Sequence, residues 1–208
     1  MRCNNVGKRL TIGVLVSGRG TNLQSIINSI EDGRLKAEIG IIISDNPEAK
    51  ALDRAENHGI KSICIEEDNF NIKQEYEEEM IKVLEENGVE LVVMAGFMTI
   101  LSSYFVDYYR NRLMNIHPSL LPAFPGVDAQ RQAFKYGVKV TGCTVHFAYE
   151  GMDTGPIILQ EAVPVLEDDT VTSLSKRILA VEHRIYPKAI QLFADERLKV
   201  EGRKVEIL

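Results

Sequence analysis

Residues 115–122 read Asn-Ile-His-Pro-Ser-Leu-Leu-Pro, and Asp153 stands further on in a glycine-flanked segment, Gly151-Met152-Asp153-Thr154-Gly155-Pro156. Asn115 and His117 are two positions apart, so in an extended strand both side chains project to the same side. A neutral amide donor and a titratable donor aimed at one point suit a carbonyl that becomes an oxyanion during acyl transfer. Pro118 has no amide hydrogen to donate and biases His117 toward extended backbone. Asp153 has two readings. As a turn residue it is commonplace. Held near His117, its carboxylate favours the imidazolium and makes the pair a proton donor near neutrality. The plain alternative for residues 115–122 is a strand end followed by a turn.

A second segment, Ser17-Gly18-Arg19-Gly20-Thr21-Asn22, joins a strand-like run to a helical pattern. Glycines let backbone amides approach an anion, and a helix start carries partial positive charge, so this is a phosphate cradle by type. It is not a Walker loop, because no Gly-Lys-Ser/Thr follows, and Leu23 stands where the dinucleotide fingerprint has its third glycine. The other reading is an ordinary turn in which Ser17 or Thr21 caps the helix. His146 lies inside a strand pattern and reads as structural, and His58 at a helix end reads as a partner of the dipole. On spacing alone Glu182 and His183 read as a solvated helix face, as does the acidic run 75–79. Phe97, Met98, Ile100 and Leu101 follow Gly96 at a strand end, where they read as core or as the lining of a ligand slot.

The elements that must position these groups alternate through the first half. Apolar runs at 10–16, 37–43, 62–65 and 90–95 are separated by helical patterns at 22–30, 48–57 and 73–86. Gly33, Gly59 and Gly88 each stand between a helix and the next strand, where a left-handed residue closes the helix. Continuous apolar strands between amphipathic helices predict a parallel sheet covered on both faces. The second half predicts a strand at 112–116, a helix at 128–136 ending at Gly137, and strands at 140–147 and 157–165 paired antiparallel across the Gly-rich loop 150–155. A long helix at 170–193 follows, starting near Asp168 or Asp169 and kinked or restarted at Pro187. The fold class is therefore α/β, one doubly wound, mostly parallel sheet with helices on both faces and antiparallel strands in the C-terminal half. With no linker or repeat, residues 1–208 read as a single domain.

The balance of 45% apolar and 26% charged residues is that of a soluble globular chain, and a net charge of −6 provides no basic footprint for nucleic acid. A small anion in a local pocket remains compatible with that charge. Cys3, Cys64 and Cys143 are scattered and form no C-x-x-C pair, which suits a reducing compartment better than a disulfide framework or a zinc site. Residues 1–8 are short and polar, and no apolar run approaches the roughly 20 residues that span a bilayer. A cytoplasmic protein without membrane attachment is the expectation.

Taken together, Asn-Ile-His-Pro-Ser-Leu-Leu-Pro and Asp-Thr-Gly-Pro-Ile-Ile resemble the folate-dependent formyltransferases. Val-Ser-Gly-x-Gly-Thr-Asn after the first strand, Ala95-Gly96-Phe97-Met98, and Glu182-His183-x-Ile185-Tyr186-Pro187 extend the resemblance over residues 10–198. The His-Pro-Ser-Leu-Leu-Pro core is shared with the branches that formylate methionyl-tRNA or hydrolyse formyltetrahydrofolate. The first-strand loop and the Glu-His-x-Ile-Tyr-Pro segment are similar to the branch that formylates glycinamide ribonucleotide in purine synthesis.

The resemblance implies that Asn115, His117 and Asp153 are the catalytic trio. It implies that Gly20, Thr21 and Asn22 hold the substrate phosphate and that Glu182 grips the ribose hydroxyls. Lys73, Met98, Thr99, Ile100, Leu101, Tyr149, Glu150, Gly151 and Met152 are implied at the folate slot. The N-terminal half then binds the phosphate, and the C-terminal half binds folate and carries the chemistry. Relatives often carry Arg where Lys73 and Thr99 stand, and some carry Lys or Gln where Leu179 stands. The implied co-substrate is 10-formyltetrahydrofolate, with no metal. The implied partners are small molecules, with no nucleic acid and no membrane, in a monomer or weak homodimer. In that chemistry the substrate amine attacks the formyl carbon, while Asn115 and His117 stabilise the oxyanion and Asp153 assists. The hydrolase and tRNA branches typically carry an N-terminal regulatory domain and a C-terminal RNA-binding extension respectively, whereas here about ten residues precede the first strand and the sequence stops at Leu208. A non-catalytic nucleotide-binding module leaves the coincidence of Asn115, His117, Asp153 and Glu182 unexplained.

Overall fold

The computed structural model describes residues 9–208. The polar start and Cys3 lie outside the described residues. The chain opens with β1 (Leu10–Val16), α1 (Thr21–Glu31), β2 (Ala37–Ser44), α2 (Lys50–Asn57) and β3 (Ser62–Cys64). A 3-10 turn (Glu67–Asn69) leads to α3 (Lys73–Glu86), β4 (Leu91–Met94), α4 (Ser103–Tyr108) and β5 (Leu113–His117). There follow α5 (Ala129–Tyr136), β6 (Val140–Phe147), β7 (Ile157–Pro164), α6 (Val171–Ala194), β8 (Leu198–Glu201) and β9 (Lys204–Ile207).

These strands form one nine-stranded sheet in the order β3-β2-β1-β4-β5-β6-β7-β9-β8. β1 to β5 are parallel to one another, and β6 runs antiparallel between β5 and β7, so that β7 returns to the direction of β5. The chain winds outward from β1 to β3, then crosses back to place β4 on the other side of β1. That reversal opens a crevice at the carboxyl ends of β1 and β4, the usual ligand position in open α/β sheets.

The apolar runs are buried because both faces are covered. Ile12, Val14, Val16, Leu91 and Val93 pack with α1, α2 and α6 on one face. Leu15, Ile41, Ile43 and Val92 pack with α3 and α4 on the other. Each such side chain contributes roughly 1.5–3 kcal/mol on burial, which fixes the strand register and hence the loops at the strand ends. Gly33, Gly59 and Gly88 take positive φ just past α1, α2 and α3, as the punctuation predicted. Gly20 is held more tightly: its φ is +66, and a Cβ there would sit 2.8 Å from the Cβ of Ala51. The turn after β1 therefore lies flat against α2.

Several details depart from the sequence reading. α6 runs unbroken through Pro187, and its start, just past Asp168 and Asp169, is capped by Thr170, whose side chain accepts from the Ser173 amide in a capping box. Packing of α6 against α1, α5, β6 and β7 outweighs the one donor that proline removes. Two elements were not foreseen, the short helix α4 and the C-terminal hairpin β8–β9. Glu77, taken as part of a solvent-facing acidic flank, is fully buried. It accepts from the amide of Ser102 at 2.6 Å and from the Ser102 hydroxyl. Cys64 and Cys143 are free thiols, and burial pushes the Cys143 pKa up to about 12. No helix among the described residues is long and apolar enough to cross a membrane.

Candidate active site

β5 carries Asn115 and His117 to the carboxyl end of the sheet, and β6 lies antiparallel to it with Asn115 opposite His146 and His117 opposite Thr144. The turn after His117 is built by side chains from β6 and β7. The Thr144 hydroxyl donates to the Ser119 carbonyl at 2.7 Å and accepts from the Leu121 amide at 3.0 Å. Gln160 donates to the Leu121 carbonyl at 2.9 Å. The chain is thereby folded back so that the Phe124 carbonyl reaches the imidazole.

His117 is buried and contacted at both ring nitrogens. Nε2 lies 2.8 Å from the Phe124 carbonyl oxygen, and Nδ1 lies 3.2 Å from Oδ2 of Asp153. Both partners are acceptors, so both contacts are made together only by a ring that carries hydrogen on each nitrogen. Asp153 is fixed from its other side by the Gly126 amide, which donates to Oδ2 at 2.7 Å. Phe124 and Asp153 both hold positive φ, 52° and 53°. Non-glycine residues adopt that conformation at a cost of order 1–3 kcal/mol, and such strain clusters at working sites.

The structure thus brings together Asn115, His117 and Asp153, which the sequence placed 38 positions apart at the extremes. It adds His146, which had read as a structural strand residue. His146 Nδ1 bonds the Phe147 carbonyl at 2.9 Å, and Nε2 lies 3.5 Å from the Asn115 amide nitrogen and 3.9 Å from Asp153 Oδ1. Burial is the main cause that lowers its pKa, and the charge of His117 acts the same way, against the Phe147 carbonyl and Asp153. The neutral tautomer with hydrogen on Nδ1 leaves Nε2 to accept from Asn115, which aims the amide. The signal for His146 was its cross-strand register, which a linear pattern does not display.

At the other side of the crevice, Asn22 in the first turn of α1 donates to Glu182 of α6 at 2.9 Å. Glu182 is buried rather than solvated, and desolvation raises its pKa against the lowering effect of Asn22. Tyr186, one turn on, reaches the carbonyls of Met94 and Met114 at 2.9 Å each, locking α6 across β4 and β5. Gly20 and Thr21 stand at the start of α1, which has no side-chain cap. Its leading amides are among those that have no partner inside a helix.

Between these two ends lies the loop after β4. Phe97 is buried in the core, whereas Met98 and Ile100 are 69% and 71% exposed, and Leu101 is partly buried against the core. The slot and core readings therefore divide within one segment. Ser17 ties this loop to the first: its hydroxyl accepts from the Met98 amide at 2.7 Å and donates to Asp45 at 2.8 Å. Thr99 donates to the same Asp45 oxygen at 2.8 Å. Across the cleft Met152 is exposed and lies over Gly126, where an added Cβ would meet its sulfur at 2.9 Å. Glu150 and Gly151 form the turn of that loop, their carbonyls accepting from Thr154. Tyr149 is turned away toward Asn111, to which its hydroxyl donates at 2.6 Å, with the Arg110 guanidinium over its ring. Lys73 pairs with Glu67 at 3.2 Å and not with any member of the cluster. No group of three or more His, Cys, Asp or Glu side chains is placed to hold a metal among the described residues.

Comparison with known proteins agrees with this geometry. The formyl transferase family pattern matches residues 10–190. Phosphoribosylglycinamide formyltransferase of Bacillus subtilis (strain 168) is 42% identical over 178 residues, covering 86% of this chain and 91% of its own. The trifunctional purine biosynthetic protein adenosine-3 of Homo sapiens is 46% identical over 187 residues, and this chain spans 18% of its length. The crystal structure of glycinamide ribonucleotide transformylase 1 from Symbiobacterium toebii superposes with a TM-score of 0.95 at 48% identity, covering 100% of this chain and 98% of that one. By sequence match over most of its length and by fold, the chain belongs to the formyl transferase family, among its phosphoribosylglycinamide formyltransferases.

Proposed function

We propose that this chain transfers the formyl group of 10-formyltetrahydrofolate to the primary amine of glycinamide ribonucleotide. The observation that carries the reading is the contact of Asp153 with His117 beside Asn115, at the end of the crevice opposite the Glu182–Asn22 pair. The ribonucleotide lies along the crevice, its phosphate on the Gly20–Asn22 turn and its ribose hydroxyls on Glu182. The folate head takes the slot between Met98–Leu101 and the Tyr149–Met152 loop. The two exposed methionines and Ile100 offer apolar surface to a flat heterocycle, and loop main-chain groups offer hydrogen bonds. Lys73, at the start of α3, serves the distal, anionic end of folate after release from Glu67.

The amine attacks the formyl carbon, the carbonyl electrons move to oxygen, and the bond to the folate nitrogen then breaks as that nitrogen takes a proton released from the amine. Asn115 Nδ2 and His117 Nε2 donate to the oxygen as its charge grows. For His117 this requires the formyl oxygen to take over the hydrogen now given to the Phe124 carbonyl, so the turn after His117 belongs to the catalytic geometry. Asp153 accepts from Nδ1 throughout and fixes the ring plane, and His146 holds the Asn115 amide in register.

The test supplies 10-formyltetrahydrofolate with glycinamide ribonucleotide, with methionyl-tRNA, or with neither, and follows the folate product by absorbance. Product only with the ribonucleotide is the expected result. Equal product with no acceptor would identify a hydrolase instead, and product only with the tRNA would assign the other acceptor.

A further inference from the structure

Beside the first turn of α1 lies a polar cavity of about 450 Å³ lined by Thr21, Gln24, Ser25, Arg54 and His183 among others. It opens at Thr21, the turn to which the proposed function assigns the phosphate. Arg54 projects from α2 into its wall. Nε donates to the Arg19 carbonyl at 2.9 Å and Nη1 donates to the Gln24 side-chain oxygen at 2.8 Å. Its Cδ lies 3.2 Å from where a Cβ on Gly20 would be. The guanidinium is thus laid against the backbone of the cradle, and its geometry is set by two hydrogen bonds before any ligand arrives. A guanidinium has five N–H groups, and these two bonds leave three of them for a ligand in the cavity that Arg54 lines. No carboxylate lies within ion-pair distance of Arg54 among the described residues.

On the α6 side the cavity is lined by His183, and Arg34, the other guanidinium that lines it, is paired with Asp32 at 2.7 Å. His183 presents Nε2, a buried atom with no hydrogen-bond partner, and burial followed by the Arg54 charge lowers its pKa and keeps it neutral. Leu179, one helical turn before it and on the same face, is apolar. Arg19, within the turn itself, is exposed and makes no ion pair among the described residues. Amide dipoles alone make a weak holder for a phosphate monoester, and a preorganised guanidinium with N–H groups in a plane matches its oxygens.

We infer that Arg54 is the cationic anchor of the substrate phosphate, a specificity-determining residue that gives this chain from α2 the charge that α6 lacks at Leu179. The inference rests on the proposed function, and the experiment separates the two. The wild-type enzyme is first assayed with glycinamide ribonucleotide; absence of turnover there rejects the proposed function. With turnover established, Arg54→Gln is expected to raise the KM for the ribonucleotide about tenfold or more. It should leave the folate KM and the kcat at saturation close to wild type, the pattern of lost uniform binding. The wild-type KM should climb with ionic strength and the Arg54→Gln KM should climb less. Inorganic phosphate should compete with the ribonucleotide in the wild type and lose that competition in the variant. Arg54→Lys and the double change Arg54→Gln with Leu179→Lys should each recover part of the loss, which a merely structural role would not allow. Arg19→Gln serves as the parallel arm. An unchanged ribonucleotide KM in Arg54→Gln, or a KM loss reproduced in full by Arg19→Gln alone, would overturn the assignment of Arg54.

Discussion

Two residues show how burial and chemistry are traded within the crevice. Asn115 is aimed by the neutral His146 and, in the proposed function, is one of two donors, with His117, toward the formyl oxygen. Asn115→Ala is expected to lower kcat about a hundredfold, the scale measured when one oxyanion donor is removed, while the melting temperature stays within a few degrees. Steady-state kinetics beside a thermal melt checks it, and near-full turnover would remove Asn115 from the mechanism. Glu182 works in the opposite sense. Its folded pKa is raised because burial penalises the charge. Between the ordinary carboxylate value and that raised value the folded protein binds more protons than the unfolded chain, so this group's contribution to stability falls as pH rises. Glu182→Gln keeps an acceptor for Asn22 and removes the buried charge. The variant should melt a few degrees higher at neutral pH, roughly 2–4 °C per kcal/mol gained in a protein of this size, while its ribonucleotide KM rises. A lower melting point with unchanged KM would contradict both the cost and the role.

At the scale of elements, the crevice is held by ties between loops that no single stretch of sequence announces. Asp45, at the end of β2, accepts from Ser17 after β1 and from Thr99 after β4, so one carboxylate oxygen joins three strand ends. Asp45→Ala should loosen the Met98–Leu101 segment and raise the folate KM severalfold, with a smaller effect on the ribonucleotide. Asp45→Asn, which retains an acceptor oxygen, should recover most of it, and equal kinetics in all three proteins would show that the tie is idle. The parallel strands and α3 were legible because apolar runs and a 3.6-residue period repeat over many positions, with glycine marking each helix end. Asn115 and His117 were legible because both lie on one strand, where alternation fixes their side. His146 was not, since only the pairing of β5 with β6 sets it opposite Asn115. Asp45, Arg54 and Glu77 were not either, for each acts on a loop far away in the chain. α4 spans six residues, too short to display a period. The roles given to the folate-slot residues came from family resemblance rather than from spacing.

For the molecule as a whole, these buried groups act together on its response to acid. His146 and His183 both have lowered pKa values, each mainly through burial. Below the unfolded value of about 6.5 the unfolded chain binds protons that the folded protein refuses, so their contribution is present at neutral pH and lost as pH falls through that window, on the order of 1 kcal/mol per pK unit of displacement. Glu182 has the opposite slope and partly masks that loss. Asp169 enters only in stronger acid. Its carboxylate is held well below the usual range first by the Arg177 guanidinium, with the Leu166 amide and Ser173 hydroxyl adding to it. That contribution is present above about 3.8 and disappears below it. Urea unfolding at a series of pH values between 7.5 and 5 (both roughly chosen to bracket the histidine window) should therefore show a declining stability for the wild type. The decline should be steeper for Glu182→Gln, which no longer has the compensating slope. It should be shallower for His146→Asn, which removes one of the two histidines that must charge on unfolding. Parallel pH profiles for the three proteins would mean that the acid response arises elsewhere, and that the buried histidine beside Asn115 costs the fold nothing.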